Sequence, residues 1–422
     1  MSNIEQLYEL FRSYPRVTTD SRNIEAGSIF FALHGASFDG NDYALDALDK
    51  GAEYAVVDRA DIAEQSDRLI LVDDTLSALQ DLARLHRQEL NIPIIAITGS
   101  NGKTTTKELV AATLSTPYHI YATKGNFNNH IGVPLTLLSM DNSIEIGVVE
   151  MGASSQGEIA LLCSIAEPNY GVITNIGRAH LDGFGGVEGI KRAKGELFKW
   201  LAESGGKAFV PQEDENILSI AAQYPTLEQI QYSYSLSNGV DSNLHGDYNL
   251  KNIATAMAIS SKLGVSKIFA HQAISRYQPT NNRSQRVEGE SNIIIADCYN
   301  ANPSSMEAAI LNFKSSSFDS CAKGKILILG DMLELGEWSN SEHTHIIELA
   351  TSCNPRAVYL VGDNFRQSYL SLQSEDKRVK LFDSAATLNK FLRRSRPSSS
   401  AILIKGSHSI GLESTIEVVA RY

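Results

Sequence analysis

The run Ile94-Ile95-Ala96-Ile97-Thr98-Gly99-Ser100-Asn101-Gly102-Lys103-Thr104-Thr105 carries the most chemistry in this chain. A β-branched stretch gives way to a glycine turn, and a helix-compatible Lys107-Glu108-Leu109-Val110 follows. Strand, loop and helix in that order cradle nucleotide phosphates. The glycines let backbone N–H groups converge on anionic oxygens without interference from a Cβ. Lys103 would supply a point charge for the β- and γ-phosphates, and Thr104 a hydroxyl for Mg2+. The strict pattern G-x-x-x-x-G-K-[ST] needs glycine at position 97, which is Ile97; the glycines are Gly99 and Gly102, so the loop is a tighter variant. An ordinary strand–helix turn is the alternative. Gly-Lys-Thr after an apolar strand favours the mononucleotide phosphate site.

Ligands of open parallel sheets gather at the carboxyl ends of strands. The polar residues that follow each apolar run are therefore the next candidates. Glu150 ends the run Ile146-Gly147-Val148-Val149 and is either an oxygen ligand for Mg2+ or a solvated strand end. His180 follows Asn175-Ile176-Gly177-Arg178-Ala179, and its place after a third strand favours a functional role over a structural one. Lys194 interrupts the stripe Val187, Ile190, Lys194, Leu197, Leu201. It either points inward, with an anionic partner or a depressed pKa, or it snorkels outward along its stem; the stripe alone favours snorkelling. Asp297-Cys298-Tyr299-Asn300-Ala301-Asn302-Pro303 follows another apolar strand and either grips a ribose or base or serves loop and cap chemistry. Ser155-x-x-Glu158 and Ser304-x-x-Glu307 read as capping boxes. Lys405 ends the last apolar run and would meet a carboxylate, while Asn249 and Asn252 share one helical face. His343 and His345, two apart, are a poor metal pair on a helix.

These residues need a scaffold of alternating strands and helices. A chain of 422 residues fits about three domains at ~150 residues each. Short α/β elements fill residues 1–88, with strands expected at 28–33, 54–58 and 69–73. Residues 89–281 hold strands at 94–97, 146–150 and 171–174, separated by helical stretches long enough for parallel crossovers. The breaker-rich Gln278-Pro279-Thr280-Asn281-Asn282 marks a boundary. Residues 282–422 carry all-apolar strands at 293–297, 325–329, 357–361 and 401–405, the mark of a sheet covered on both faces. The fold class is α/β.

Composition narrows the function. With 43% hydrophobic and 20% charged residues the chain reads as an ordinary globular protein. A net charge of −12 argues against non-specific binding to nucleic acid or an anionic membrane. The four cysteines, Cys163, Cys298, Cys321 and Cys353, form no C-x-x-C pair, so reduced buried thiols and a cytoplasmic location are expected. The first residues show no cationic segment ahead of an apolar run, and no stretch approaches the ~20 apolar residues of a membrane span. No signal peptide and no membrane insertion are expected.

In this order, over about residues 20–411, the pieces resemble the Mur ligase family of cell-wall synthesis. The resemblance rests on Thr98 to Glu108, Asn126-Phe127-Asn128-Asn129-His130-Ile131-Gly132-Val133-Pro134, Glu150-Met151-Gly152, and Asn175 to Leu181. It rests also on Ala193-Lys194-Gly195-Glu196, Asp297 to Pro303, and Gly330-Asp331-Met332-Leu333-Glu334-Leu335-Gly336. Asp20-Ser21-Arg22 and Phe30-Phe31-Ala32-Leu33-x-Gly35 are similar to the uridine-diphosphate end of the subfamily that adds D-alanyl-D-alanine.

The resemblance implies an N-terminal UDP-substrate-binding domain, a central P-loop ATPase-type parallel sheet and a C-terminal Rossmann-like domain. It implies a monomer that uses ATP and Mg2+ to join D-alanyl-D-alanine to UDP-N-acetylmuramoyl-tripeptide through an acyl phosphate. Lys103, His180 and Lys194 would be catalytic, with Thr104, Glu150, His180 and Lys194 as metal ligands and Lys194 carbamylated. Gly99, Ser100, Asn101, Gly102, Lys103, Thr104, Thr105, Asn249, Asn252, Arg283, Asp297 and Asn300 would hold the nucleotide. Ser21, Arg22, Asn126, Asn128 and Asn129 would meet the substrate. Tyr248 departs from the histidine that many members place before the asparagine. The alternatives are the tripeptide-forming ligase or folylpolyglutamate synthetase within the same chemistry, and a nucleotide-switch regulator outside it. Whether the third peptide residue is meso-diaminopimelate or lysine stays open.

Overall fold

A computed structural model describes residues 3–244, 246–279, 284–318 and 323–422. Its strands form three sheets, in the α/β pattern expected. The first is a small parallel sheet of β1 (Val17–Thr18), β2 (Ile29–Phe31), β3 (Tyr54–Val57) and β4 (Leu69–Leu71), in that order. The central sheet holds β5 (Ile94–Thr98), β6 (Ile120–Ala122), β7 (Ile146–Glu150), β8 (Tyr170–Ile173), β9 (Lys207–Pro211) and β10 (Glu228–Tyr232). Their order is β10-β9-β8-β5-β7-β6, parallel throughout. The third sheet holds β11 (Gln285–Glu288), β12 (Ile293–Asp297), β13 (Lys325–Gly330), β14 (Ala357–Val361), β15 (Val379–Phe382) and β16 (Ala401–Lys405). Its order is β11-β12-β16-β13-β14-β15, with only the edge strand β11 antiparallel.

The all-apolar strands are apolar because each feeds two cores. Side chains alternate along a strand. Ile94 and Ala96 therefore join the core formed with Leu197 and Leu201, while Ile95 and Ile97 join the opposite one with Leu109 and Ile253. In the third sheet Leu327 and Leu403 face one core, and Ile328 and Ile402 the other. Helix Thr75–Leu90 welds the first sheet to the second. Its Leu79 and Leu82 share a core with both Phe31 and Leu162. On the same helix, His86 Nε2 lies 2.8 Å from the carbonyl of Met140, and Arg87 Nε donates to that of Ala166 at 2.9 Å.

Several elements differ from the expectation. The third central strand is Tyr170–Ile173, one residue earlier than expected. Helix Asn3–Ser13 and strands β1, β6, β9, β10, β11 and β15 were not foreseen. β10 is Glu-Gln-Ile-Gln-Tyr and mostly exposed at the sheet edge, so it has no apolar run to read. Neither expected capping box forms. The helix after β7 is Glu158–Ala166, with Gly157 (φ 88°) at its cap. Its Gly157 and Ala160 amides donate to Glu196, at 2.7 and 2.9 Å. Glu158 is left to accept from the Ser154 amide and the Ser155 hydroxyl, both at 2.8 Å. Helix Pro303–Ser315 is capped by Asn302, in a reciprocal box with Ser305. Pro303 takes the first helical position, where its missing N–H is harmless. Among the described residues no helix is long and apolar enough to cross a membrane.

Candidate active site

The carboxyl ends of β5, β7 and β8 face those of β12 and β16 across a cleft of about 640 Å3. Its floor is the loop 99–102 ahead of helix Lys103–Leu114. Gly99 has φ 141°, and a Cβ there would lie 2.0 Å from Thr174 Oγ1. Gly102 has φ 76°, and its Cβ would lie 2.5 Å from Asn252 Oδ1. The missing glycine at 97 costs nothing, because Ile97 is a core strand residue. The carbonyl of Asn101 accepts from Thr174 Oγ1 at 2.5 Å and from Asn175 Nδ2 at 2.8 Å. Lys103 Nζ donates to the loop's own Gly99 carbonyl at 2.8 Å. Thr104 follows on the first helical turn and, with Thr105, lines the cleft.

Glu150 is not a solvated strand end: only 2% of it is exposed. Asn128 Nδ2 donates to its Oε1 at 2.8 Å, and its Oε2 is buried without a hydrogen-bond partner. An orphaned carboxylate oxygen inside a protein is costly unless something is meant to meet it. Asn126 and Asn129 line the same wall.

Lys194 lies on helix Val187–Ser204 and does not snorkel: 2% of it is exposed. Its Nζ sits 5.2 Å above the Phe184 ring and 3.4 Å from the Ala153 carbonyl. Burial, and then the charge of Lys103, push its pKa down to about 7 against the pull of Glu158 and Glu196. The amine is thus substantially neutral, and nucleophilic, near neutral pH. His180 lies at the cleft with a left-handed backbone (φ 51°), and its Nδ1 meets the carboxylate of Glu334. Burial lowers the His180 pKa; Glu334 opposes this, while Lys103 and Lys194 reinforce it.

On the facing wall, Asp297 and Lys405 are register partners on β12 and β16. Lys405 Nζ donates to Asp297 Oδ2 at 2.6 Å and to the Asn300 carbonyl at 3.1 Å, so the lysine does meet a carboxylate. Asn249 and Asn252 are both buried on helix Asp247–Lys262, and Asn252 Nδ2 donates to Asn249 Oδ1 at 3.1 Å. Where histidine was the family expectation, the Tyr248 hydroxyl hydrogen-bonds Ser284 at 2.8 Å, and burial raises its pKa. A hydrogen bond spans the cleft directly, from Asn302 Nδ2 to Asn101 Oδ1 at 2.7 Å.

The cleft gathers Ser100 to Thr105, Asn126, Asn128, Asn129, Glu150, His180, Asn249, Asn252, Asp297 and Asn300. Lys194 sits behind its wall. Ser21 and Arg22 are outside it, on the first domain: Arg22 is gripped by Asp20 at 2.8 Å, and Lys50 Nζ holds the Ser21 carbonyl at 2.9 Å. Arg283 lies outside the described residues. Glu158, Glu334 and Asn302 belong to the site or its border; Glu158 and Glu334 were read as cap or motif residues only, and Asn302 only as part of the Asp297–Pro303 stretch. No signal in the sequence pairs Glu334 with a histidine 154 positions away. His343 is buried with its Nε2 accepting from the Met332 amide at 3.1 Å, whereas His345 is on the exposed side, so they make no metal pair. Among the described residues no three His, Cys, Asp or Glu side chains converge as a metal cluster.

Residues 13–87 match the Mur ligase family catalytic domain, 97–242 the Mur ligase middle domain, and 282–408 the Mur ligase glutamate ligase domain. The chain belongs to the Mur ligase family. Within it, the chain is 35% identical to the UDP-N-acetylmuramoyl-tripeptide–D-alanyl-D-alanine ligase of Bacillus subtilis (strain 168), over 95% of this chain and 92% of that one. A crystal structure of MurF from Acinetobacter baumannii superposes with a TM-score of 0.85 at 29% identity, covering 96% of this chain and 93% of that one. MurF ligase from Thermotoga maritima in complex with ADP gives 0.81 at 26% identity, covering 96% and 97%.

Proposed function

We infer that this chain is an ATP-dependent amide ligase that joins D-alanyl-D-alanine to UDP-N-acetylmuramoyl-tripeptide, releasing ADP and phosphate. The observation that carries the reading is one cleft in which the Lys103 loop, the orphaned oxygen of Glu150 and the Asp297–Lys405 pair face each other. Residues 1–88 bind the UDP moiety through Ser21 and Arg22, 89–281 bind ATP, and 282–422 close over it. In the first step the tripeptide carboxylate attacks the γ-phosphorus, ADP leaves, and an acyl phosphate forms. In the second, the amine of D-alanyl-D-alanine attacks the acyl carbon, a proton leaves the nitrogen, and inorganic phosphate departs from the tetrahedral intermediate.

Phosphoryl transfer asks a protein for positioning and charge neutralisation more than for covalent help. The amides of loop 99–104 cradle the phosphates, and Lys103 leaves its carbonyl partner to meet them. Asn249 and Asn252 orient the base, Asp297 and Asn300 the ribose, and Arg283 contacts the phosphates. Asn126, Asn128 and Asn129 position the substrate.

Glu150 Oε2 and the Thr104 hydroxyl fit a hard divalent cation, which needs few protein oxygens and keeps its waters. Mg2+ bound there would neutralise charge on the transferring phosphoryl group. His180 would present Nε2 to a second ion, with Glu334 fixing its Nδ1, the arrangement in which a carboxylate orients a metal-binding imidazole. Lys194, its pKa pushed down to about 7, can take up CO2 through its neutral amine as a carbamate with loss of a proton, which puts an anionic oxygen ligand where an amine was. The chain works as a monomer in the cytoplasm. Phosphate release tests the function: it must rise only when both the UDP-linked tripeptide and D-alanyl-D-alanine are present. Hydrolysis indifferent to the dipeptide would instead identify a nucleotide switch. Running the assay with meso-diaminopimelate and lysine tripeptides identifies the UDP-linked substrate.

A further inference from the structure

Arg178 touches both of the large domains and lines no part of the cleft. Its backbone N–H donates to Ser304 Oγ at 2.8 Å. Its guanidinium reaches Glu307 Oε2 at 2.8 Å and Glu342 Oε2 at 3.0 Å. The two carboxylates come from neighbouring helices of the C-terminal domain, Pro303–Ser315 and Ser339–Ser352. Glu342 is 9% exposed. Nearby, His345 Nε2 is 3.8 Å from Glu307 on the exposed edge.

The residue before Arg178 is fastened to the phosphate loop in both directions. Ser100 Oγ donates to the Gly177 carbonyl at 3.0 Å, and the Gly177 amide donates back to Ser100 Oγ at 2.9 Å. Two residues after Arg178 comes His180, held by Glu334. Loop 175–180 therefore links the phosphate loop on one side to the C-terminal domain on the other, with Arg178 at the junction.

We propose that Arg178 is a positioning residue for the ligation: it clamps the C-terminal domain over the nucleotide by bridging Glu307 and Glu342. The proposal rests on the ligase reading. The two carboxylates share one guanidinium only while the domains are together. Removing the guanidinium leaves a nearly buried Glu342 beside Glu307 with no cation between them, and such a pair is relieved by opening into water. The forked, planar donor set matters, because one ammonium cannot serve two carboxylates from different helices with the same geometry. Fewer closed molecules mean weaker apparent nucleotide affinity, in proportion to the closed fraction lost.

The test compares Arg178→Ala, Arg178→Lys, Glu307→Gln/Glu342→Gln and the Arg178→Ala/Glu307→Gln/Glu342→Gln variant with the parent. Small-angle scattering with and without a non-hydrolysable ATP analogue reads compaction directly, and steady-state ligation reads KM and kcat. Arg178→Ala should lose the ligand-induced compaction at an analogue concentration that compacts the parent. Its KM for ATP should rise about tenfold or more, with kcat at saturation changed less than threefold, and Arg178→Lys should fall between. Neutralising both carboxylates in the alanine variant should recover at least half of the compaction and of the KM loss, because the repulsion is gone. An Arg178→Ala variant with parental KM and compaction overturns the clamp. So does a multiple variant no better than Arg178→Ala. A parent that fails to ligate would count against the activity instead, while the scattering comparison still decides the role of Arg178.

Discussion

Replacing Lys194 by methionine keeps the unbranched stem and removes the amine, and the effect on stability should depend on pH in a defined direction. Burial lowers the folded-state pKa of Lys194 from 10.5 to about 7. Below pH 7 the folded chain must hold an ammonium in its interior, while the unfolded chain holds it in water. That difference destabilises the fold by about 5 kcal/mol at its fullest. The penalty shrinks as pH rises through the folded pKa, because the folded lysine then sheds its proton, and it disappears once both states are neutral. Between pH 6 and pH 9 it should relax by about 2–3 kcal/mol.

The chain has two tryptophans. Trp200 lies on the same helix as Lys194, so a Trp338→Phe background makes its fluorescence a local reporter of that helix. Urea unfolding in CO2-free buffer should find Lys194→Met more stable than its parent at pH 6, and the gap should narrow by about 2–3 kcal/mol at pH 9. A gap unchanged between the two pH values would falsify the view that Lys194 is a desolvated amine poised to lose its proton.

Glu150→Gln should raise the Mg2+ concentration needed for half-maximal ligation by tenfold or more, about 1.4 kcal/mol. Its melting temperature should hold or rise, since an uncharged amide replaces a buried carboxylate and keeps the oxygen that accepts from Asn128; a matching fall in stability would mean that Glu150 is structural. At Gly102 a side chain meets both a left-handed φ of 76° and Asn252 Oδ1 at 2.5 Å. Gly102→Ala should therefore cost about 1–3 kcal/mol and weaken ATP binding in calorimetry, whereas binding at parental strength would show that the loop tolerates the shift.

What could be read from the residues was what repeats locally. The apolar runs at β5, β7, β12, β13, β14 and β16 are visible because each is covered on both faces. The edge strands β10 and β11 carry polar, exposed residues and leave no such trace. The phosphate loop and the strand-end residues Glu150 and Asp297 were legible as candidates because parallel sheets gather ligands there, and His180 because it lies in the segment that follows β8. Cap chemistry was misplaced at both expected boxes. Serine and glutamate at that spacing satisfy the pattern, but Glu196 from another helix and Asn302 took the amides instead.

The sequence by itself determined the chemistry on offer: a phosphate loop, a carboxylate at a strand end, a histidine in the segment after another strand, and a lysine in an apolar stripe. It could not decide the direction of that lysine, because a flexible four-carbon stem reaches water or the core equally well from the same helix position. Only the tertiary structure placed it inside, at 2% exposure, where burial changes its charge. Nor could local pattern pair Asn101 with Asn302, Arg178 with Glu342, or His180 with Glu334. Those partners are 154 to 201 positions apart and meet only when two separately formed sheets dock. Their spacing along the chain is set by the domains between them and not by any periodicity, so it carries no signal until the docking is known.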